Sequence, residues 1–140
     1  FTHTGPGQSD RAVAPAFAAR LRAARRSGAA SVPTGNLAPI RDFLHVQDVV
    51  NAYLALLVHG VPGEAYNVAR GEGMSLHELF RRLAAQLGAA AVPAPDPALM
   101  RSADIMHLVG DAAKLRAATG WRPTIDIDRI LKEVADAEAD

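Results

Sequence analysis

Arg41 and Arg101 have the most chemistry to offer in this chain. Arg41 stands in the stretch Thr34–Val50, TGNLAPIRDFLHVQDVV, beside a Gly-Asn turn signal, a proline and the start of a helix. A turn, a short strand and a helix N-terminus in so few residues bring several backbone N–H groups and one guanidinium into one region. That equipment grips a phosphate or a carboxylate. Arg101 follows the apolar pair Leu99-Met100 and a proline-rich segment, and it precedes Asp104 by three positions. Two arginines on separate loops can clamp a diphosphate through bidentate, charge-assisted hydrogen bonds, while Asp104 accepts bonds from sugar hydroxyls. The same spacing fits two independent surface ion pairs, so both readings stay open at this point.

Other chemistries find little support. The histidines His3, His45, His59, His77 and His107 are scattered and form no HxH or HxxxH pair, so surface or capping roles are expected rather than metal ligation. No GxSxG marks an activated serine. Neither GxGxxG nor GxxxxGK[ST] is present, and Gly5-Pro6-Gly7 reads only as a turn. The absence of cysteine excludes disulfides, thiolate metal sites and a cysteine nucleophile.

The elements that must position the arginines follow from periodicity and turn signals. Thr2–Gln8 reads as a tight loop. Pro15 suits a first helical position, and Ala16–Arg26 then reads as a helix with Phe17, Leu21 and Ala24 on its apolar side. Arg22, Arg25 and Arg26 fall on the other side, a solvated face by expectation. Ala30–Pro33 and Ile40–Leu44 are expected strands. In the second, Ile40, Asp42 and Leu44 share one face, and Arg41 and Phe43 the other. A helix is expected over His45–His59, with Asp48 bonding free N–H groups in its first turn and Val49, Val50, Tyr53, Leu54 and Leu57 as its core stripe. Glu64–Val68 reads as a short strand. Ser75 and Glu78 form a capping box for a helix through Leu87, closed by Gly88. Ala89–Pro97 is expected to be extended or irregular. Asp111 caps a short helix through Ala118, and Asp126 caps the last, whose Ile127, Ile130, Leu131 and Val134 face the core.

At 140 residues, with 49% apolar and 21% charged side chains, the chain suits one soluble domain with a real core. Formal net charge is zero, which argues against a nucleic-acid binder resting on excess Lys and Arg. No apolar run approaches the ~20 residues of a membrane span. No signal peptide is visible, so the cytoplasm is the expected address. Because the chain opens at Phe1 directly on a loop, an upstream portion is expected.

Four segments then occur in a telling order: FTHTGPGQ, GNLAPIRDFLHVQDVVNAY, GEAYNVARGEGMSLHEL and MRSADIMHLVGDAAKLRAATGWRP. Together they resemble the C-terminal half of the extended short-chain dehydrogenase/reductase (NAD-dependent epimerase/dehydratase) family. Within it they resemble the GDP-sugar enzymes, the GDP-6-deoxy-4-keto-mannose reductases and GDP-mannose 4,6-dehydratases. The resemblance covers essentially the whole chain. It implies an α/β fold: the C-terminal part of a doubly wound Rossmann-type reductase, comprising the last sheet strand's end and a small mixed α/β substrate domain. Residues 1–140 would then be the nucleotide-sugar-binding portion, with the N-terminal dinucleotide-binding domain absent.

That domain carries a GxxGxxG loop and a YxxxK pair, and neither is here. Leu57 and Arg70 stand four residues after Tyr53 and Tyr66. The resemblance therefore implies no catalytic and no cofactor-binding residue in this chain, with NAD(P) bound mainly by the other half of the full-length enzyme. It also implies a homodimer or tetramer. Arg41 matches an arginine that contacts the nucleotide diphosphate. Asn36 and Leu37 match the loop lining the base pocket. Arg101 and Asp104 match an R-x-x-D/E that holds diphosphate and ribose. Thr2 stands where the family has asparagine, and Ser102 replaces a proline. The implied function is binding of the GDP-sugar for NAD(P)H-dependent reduction of GDP-4-keto-6-deoxy-mannose. A dehydratase or 4-epimerase on another nucleotide sugar, or a non-catalytic binding module, are the alternatives.

Overall fold

Strand β3 (Ile40–His45) is the axis on which the rest converges. Its first half pairs antiparallel with β4 (Gly73–Ser75) and parallel with β6 (His107–Leu108). Its second half pairs parallel with β1 (Thr2–Thr4). A second, two-stranded parallel sheet joins β2 (Ser31–Thr34) to β5 (Val92–Pro95). The helices are α1 (Val13–Ser27), α2 (Val46–His59), α3 (Leu76–Leu87), α4 (Ala113–Thr119) and α5 (Ile127–Asp136). This computed structural model describes residues 1–100 and 103–137. The architecture is mixed α/β with parallel pairing, as expected for the fold class.

Alternation along β3 divides the molecule. Phe43 enters a core built by α1, α3 and α5, where Phe17 and Phe80 meet edge to face with ring centroids 5.4 Å apart. Leu44, on the opposite face, enters a second cluster with Ala52 of α2, Leu115 of α4 and Trp121. Arg41 shares the Phe43 side, and Asp42 the Leu44 side. The face assignment read from the sequence therefore holds, and it decides where the arginine goes.

The local signals for α3 act as expected. Ser75 Oγ accepts from the Glu78 N–H at 3.1 Å, and Gly88 closes the helix in the left-handed region at φ 59°. Leu79, Phe80, Leu83 and Leu87 are buried. The return half of the capping box is missing, because the Glu78 carboxylate turns to Arg81 and Arg82, at 2.7 and 3.0 Å. Asp126 caps α5 through the Arg129 N–H at 2.8 Å, and Asp111 accepts from the Ala113 N–H at 2.8 Å.

Several expectations are corrected. Thr2–Thr4 is a strand, because β3 supplies the hydrogen-bonding edge that a turn-rich sequence conceals. Glu64–Val68 forms no strand, since no neighbour pairs with it; the segment that pairs antiparallel with β3 is Gly73–Ser75. Helix α1 begins at Val13, so Pro15 lies two residues inside it, still within the first turn where no N–H partner is lost. Arg25 and Arg26 are exposed, as expected of a solvated face, but Arg22 is half-buried, and Arg22 and Arg25 also bond the ends of neighbouring helices. Arg22 donates to the carbonyls of Val134, Ala135 and Ala137 at the end of α5, and Arg25 to Leu87 O at the end of α3, at 2.9 Å. They satisfy C-terminal carbonyls and place positive charge at the negative ends of two helix dipoles.

Helix α2 departs most from expectation. Val49 and Ala52 are buried, but Tyr53 is 57% exposed and Leu57 83%, with Val50, Leu54 and Val58 also open. Asp48 does not bond its own helix. Fully buried, it accepts from Thr124 N, Thr124 Oγ1 and Ile125 N at 3.1, 2.9 and 3.1 Å, tying α2 to the entry of α5.

His45 caps α2 through the Gln47 N–H and reaches Glu133 of α5 at 2.9 Å. The Arg129 guanidinium, and after it His45, hold the Glu133 carboxyl below its ordinary value of 4.5. A carboxyl depressed on folding stabilises the fold above its unfolded value and loses that contribution as pH falls through the folded one. Glu133→Gln is therefore expected to lower Tm at about pH 7, with the gap from the parent protein closing toward about pH 3. Thermal melts across that range check it, and a gap that widens on acidification contradicts it.

Candidate functional site

Arg41 leaves β3 on the side of a cleft of about 480 Å³. Its Nη1 donates to the carbonyls of Ile40 and Ile105 at 2.9 and 2.6 Å, and its Nη2 to Asp104 Oδ1 at 2.8 Å. Both side chains of the ion pair are half-sheltered, at 14% and 17% exposure. That shelter makes the contact stronger than an open surface pair. The pair staples the segment after residue 103 to β3.

Five of the six residues expected from the sequence meet here: Thr2, Asn36, Leu37, Arg41 and Asp104 all line this cleft. Arg101, like Ser102, lies outside the described residues. Thr2 comes from β1. Asn36 and Leu37 come from the connection between β2 and β3, where Asn36 Oδ1 accepts from the Ala38 N–H at 3.0 Å and fixes the turn. The Leu37 carbonyl accepts from the His77 N–H at 2.9 Å, anchoring this loop to the start of α3. Gly35 is required by close approach: a Cβ there would lie 2.5 Å from the Leu99 carbonyl oxygen, so any larger residue pushes the loop off the 3-10 turn Pro97–Leu99.

Asp104 Oδ1 accepts from Arg41, which orients the carboxylate at the edge of the cleft. The pair is mutual, so neither charge faces the cleft alone.

Two cations that the sequence reading passed over also line the cleft: Arg11, just before α1, and Arg20 within it. Val13, Ala16, Phe17 and Arg20 all border the cleft from α1, at i, i+3, i+4 and i+7. An arginine at the end of that apolar series was the available signal. It was hidden among the neighbouring arginines of the same helix.

The buried Asp42 is the other residue missed. Its Oδ1 accepts from Arg70 N at 2.9 Å, and its Oδ2 from Gly71 N at 2.8 Å and Gly110 N at 3.2 Å. It gathers the two segments beside the half of β3 that carries Arg41. Tyr53 and Tyr66 stand outside the cleft; Tyr66 Oη accepts from the Val61 N–H at 3.1 Å. Among the described residues, no group of three or more potential ligands gathers to hold a metal ion, and no helix is long and apolar enough to cross a membrane.

With this geometry in hand, similarity to known proteins is specific. The family described as GDP-mannose 4,6 dehydratase matches residues 1–134. GDP-6-deoxy-D-mannose reductase of Pseudomonas aeruginosa is 41% identical over 136 residues, covering 96% of this chain and 44% of that protein. A solved structure of RMD from Pseudomonas aeruginosa, complexed with NADPH, superposes with a TM-score of 0.86 at 38% identity, covering 96% of this chain and 45% of that one. A UDP-glucose 4-epimerase from Thermotoga maritima, solved with UDP-glucose, superposes with a TM-score of 0.85 at 26% identity, covering 96% and 42%. The chain thus spans less than half the length of these relatives. The chain belongs to the GDP-mannose 4,6 dehydratase family of the extended short-chain dehydrogenase/reductases, and its fold is the C-terminal part of theirs.

Proposed function

We propose that residues 1–140 are the nucleotide-sugar-binding portion of an NAD(P)-dependent oxidoreductase whose dinucleotide-binding domain lies outside this chain. The ligand is a GDP-linked sugar, and the whole enzyme reduces the 4-keto group of GDP-4-keto-6-deoxy-mannose with NAD(P)H. The observation that carries this reading is the cleft itself. Thr2, Asn36, Leu37, Arg41 and Asp104, drawn from separate segments, line one space. Arg101 is the sixth member of the proposed set.

The 41% identity to a GDP-6-deoxy-D-mannose reductase supports the choice of sugar, and the NADPH complex of a structural relative supports the nicotinamide cofactor. The uncovered face of α2 supports the placement of a further domain. Tyr53, Leu54, Leu57 and Val58 form an apolar surface of a kind that lone domains seldom leave open. In the whole enzyme, a cytoplasmic homodimer or tetramer, this portion binds and orients. Its contacts hold the nucleotide remote from the reacting carbon, so binding energy is used for alignment. No bond is broken by residues of this chain.

Calorimetry with GDP, UDP and guanosine tests the reading. GDP is expected to bind, and UDP and guanosine to bind at least about tenfold more weakly, since each loses either the purine edge or the charged contacts. Equal affinity for GDP and UDP overturns the assignment to a GDP-sugar. A dehydratase or 4-epimerase is the second reading, favoured by the family match and the epimerase superposition. Joined to its dinucleotide-binding half and fed GDP-4-keto-6-deoxy-mannose, a reductase oxidises NAD(P)H stoichiometrically, whereas a dehydratase or epimerase consumes none.

A further inference from the structure

We propose that Met106 is an oxidation site: a peroxide converts its thioether to a sulfoxide, whose oxygen holds the Asn36 side-chain amide and withdraws it from the cleft. The effect on binding rests on the nucleotide-sugar reading; the modification itself does not. The chain has three methionines, and their surroundings differ. Met74 packs against the core built by α1, α3 and α5. Met100 and Met106 are exposed, Met106 at 50%. Met106 also sets its sulfur against a residue of the cleft, since Asn36 Nδ2 donates to Sδ at 3.8 Å and Asn36 lines that space. The bond from Met100 to the Pro97 carbonyl, at 3.2 Å, runs through its backbone N–H and leaves its sulfur out.

Both partners are already held in position. Asn36 Oδ1 accepts from the Ala38 N–H at 3.0 Å, which fixes the amide plane with Nδ2 toward Met106. On the other side, the Ile40 N–H donates to the Met106 carbonyl at 2.8 Å, and Arg41 Nη1 to the Ile105 carbonyl at 2.6 Å. Neither residue has to travel for a stronger bond to form between them. A thioether sulfur is a weak acceptor, so the amide is readily released to a ligand. Oxidation reverses that balance. The sulfur lone pair forms an S–O bond to one peroxide oxygen as the O–O bond breaks. The other oxygen leaves as hydroxide and takes the proton of the transferred hydroxyl, giving water. Sulfur loses two electrons and the peroxide gains them. A flexible apolar side chain becomes a polar one, with its new acceptor beside a waiting donor.

The test treats the chain with hydrogen peroxide and follows each methionine by peptide mass mapping. Met106 is expected to gain its oxygen about tenfold faster than Met74, as exposure dictates. Calorimetry with GDP should then show about a fivefold loss of affinity, the scale of one neutral hydrogen bond. The Asn36 side-chain amide resonance should shift at the same time. Met100→Leu is expected to keep both responses. Met106→Leu, which removes the sulfur and keeps an apolar side chain, should bind GDP normally before oxidation and show neither response after it. Methionine sulfoxide reductases should restore the affinity of the oxidised parent chain. A Met106 oxidised no faster than Met74, an Asn36 resonance that does not move, an unchanged GDP affinity after oxidation, or a loss that persists in Met106→Leu each overturns the proposal while leaving the nucleotide-sugar reading intact. A parent chain that binds no GDP but shows the Met106-dependent Asn36 shift upholds the oxidation site and defeats that reading.

Discussion

Asp42→Ala is expected to destabilise the fold by about 3 kcal/mol, because three backbone N–H groups, that of Gly110 buried and those of Arg70 and Gly71 part-buried, lose their acceptor at once. The carboxylate is fully buried and holds Arg70, Gly71 and Gly110, in two chain segments 28 to 68 residues away. Each orphaned buried donor costs on the order of 1–3 kcal/mol, and the cost is greatest at the buried Gly110 N–H. A loss of this size is a large part of the ~5–15 kcal/mol that holds a typical domain together. Asp42→Asn keeps one acceptor oxygen and is expected to fall between the two. Urea unfolding measures this directly: the midpoint should drop with an unchanged slope. A change under about 0.5 kcal/mol, the range of an ordinary surface substitution, would show that the three bonds contribute little net stability.

The second large effect concerns binding. Arg41→Ala is expected to weaken GDP affinity about tenfold or more, since its charge-assisted bond to Asp104, of a kind worth about 1.5–3 kcal/mol, is lost. Two causes act together. The segment containing Asp104 and Ile105 loses its staple to β3, and the Asp104 carboxylate becomes an unpaired negative charge lining the cleft. Removing the acid as well should therefore restore part of the affinity. In a double-mutant cycle, Arg41→Ala with Asp104→Ala is expected to lose less than the sum of the two single losses. Strict additivity would show that the two side chains act independently on the ligand, contrary to their 2.8 Å contact. Circular dichroism on each variant separates a binding loss from a folding loss.

These predictions concern neighbouring residues of one strand, and the sequence treated them unequally. Arg41 stood out because an arginine beside a turn and a helix start has obvious anion chemistry. Asp42 drew no notice, since its partners lie far along the chain and no local spacing announces them. Asp48 shows the same limit. A carboxylate in a first helical turn ordinarily serves its own helix, yet here the Thr124–Ile125 backbone comes closer and takes both oxygens. Arg22 and Arg25 read as solvated because their helix face is polar. They also meet carbonyls 113 and 62 residues away, an encounter that only the packing of α1 against α5 and α3 arranges.

What the sequence determined by itself is what short-range physics controls. Ser75 and Asp126 capped the helices they precede, Gly88 ended α3, and the apolar series of α3 and α5 went inside. Those outcomes depend on hydrogen bonds spanning three or four residues and on a period of 3.6. Alternation along β3 likewise assigned Arg41 and Phe43 to one face and Asp42 and Leu44 to the other. The tertiary structure alone decided which of those faces borders a cleft. It also decided that the apolar stripe of α2 stays open, since amphipathicity states that a face seeks cover and not that this chain supplies it. Arg41 and Asp104 show the division most plainly. Their residue types could be read from the chain, but their pairing follows from a contact between residues 63 positions apart.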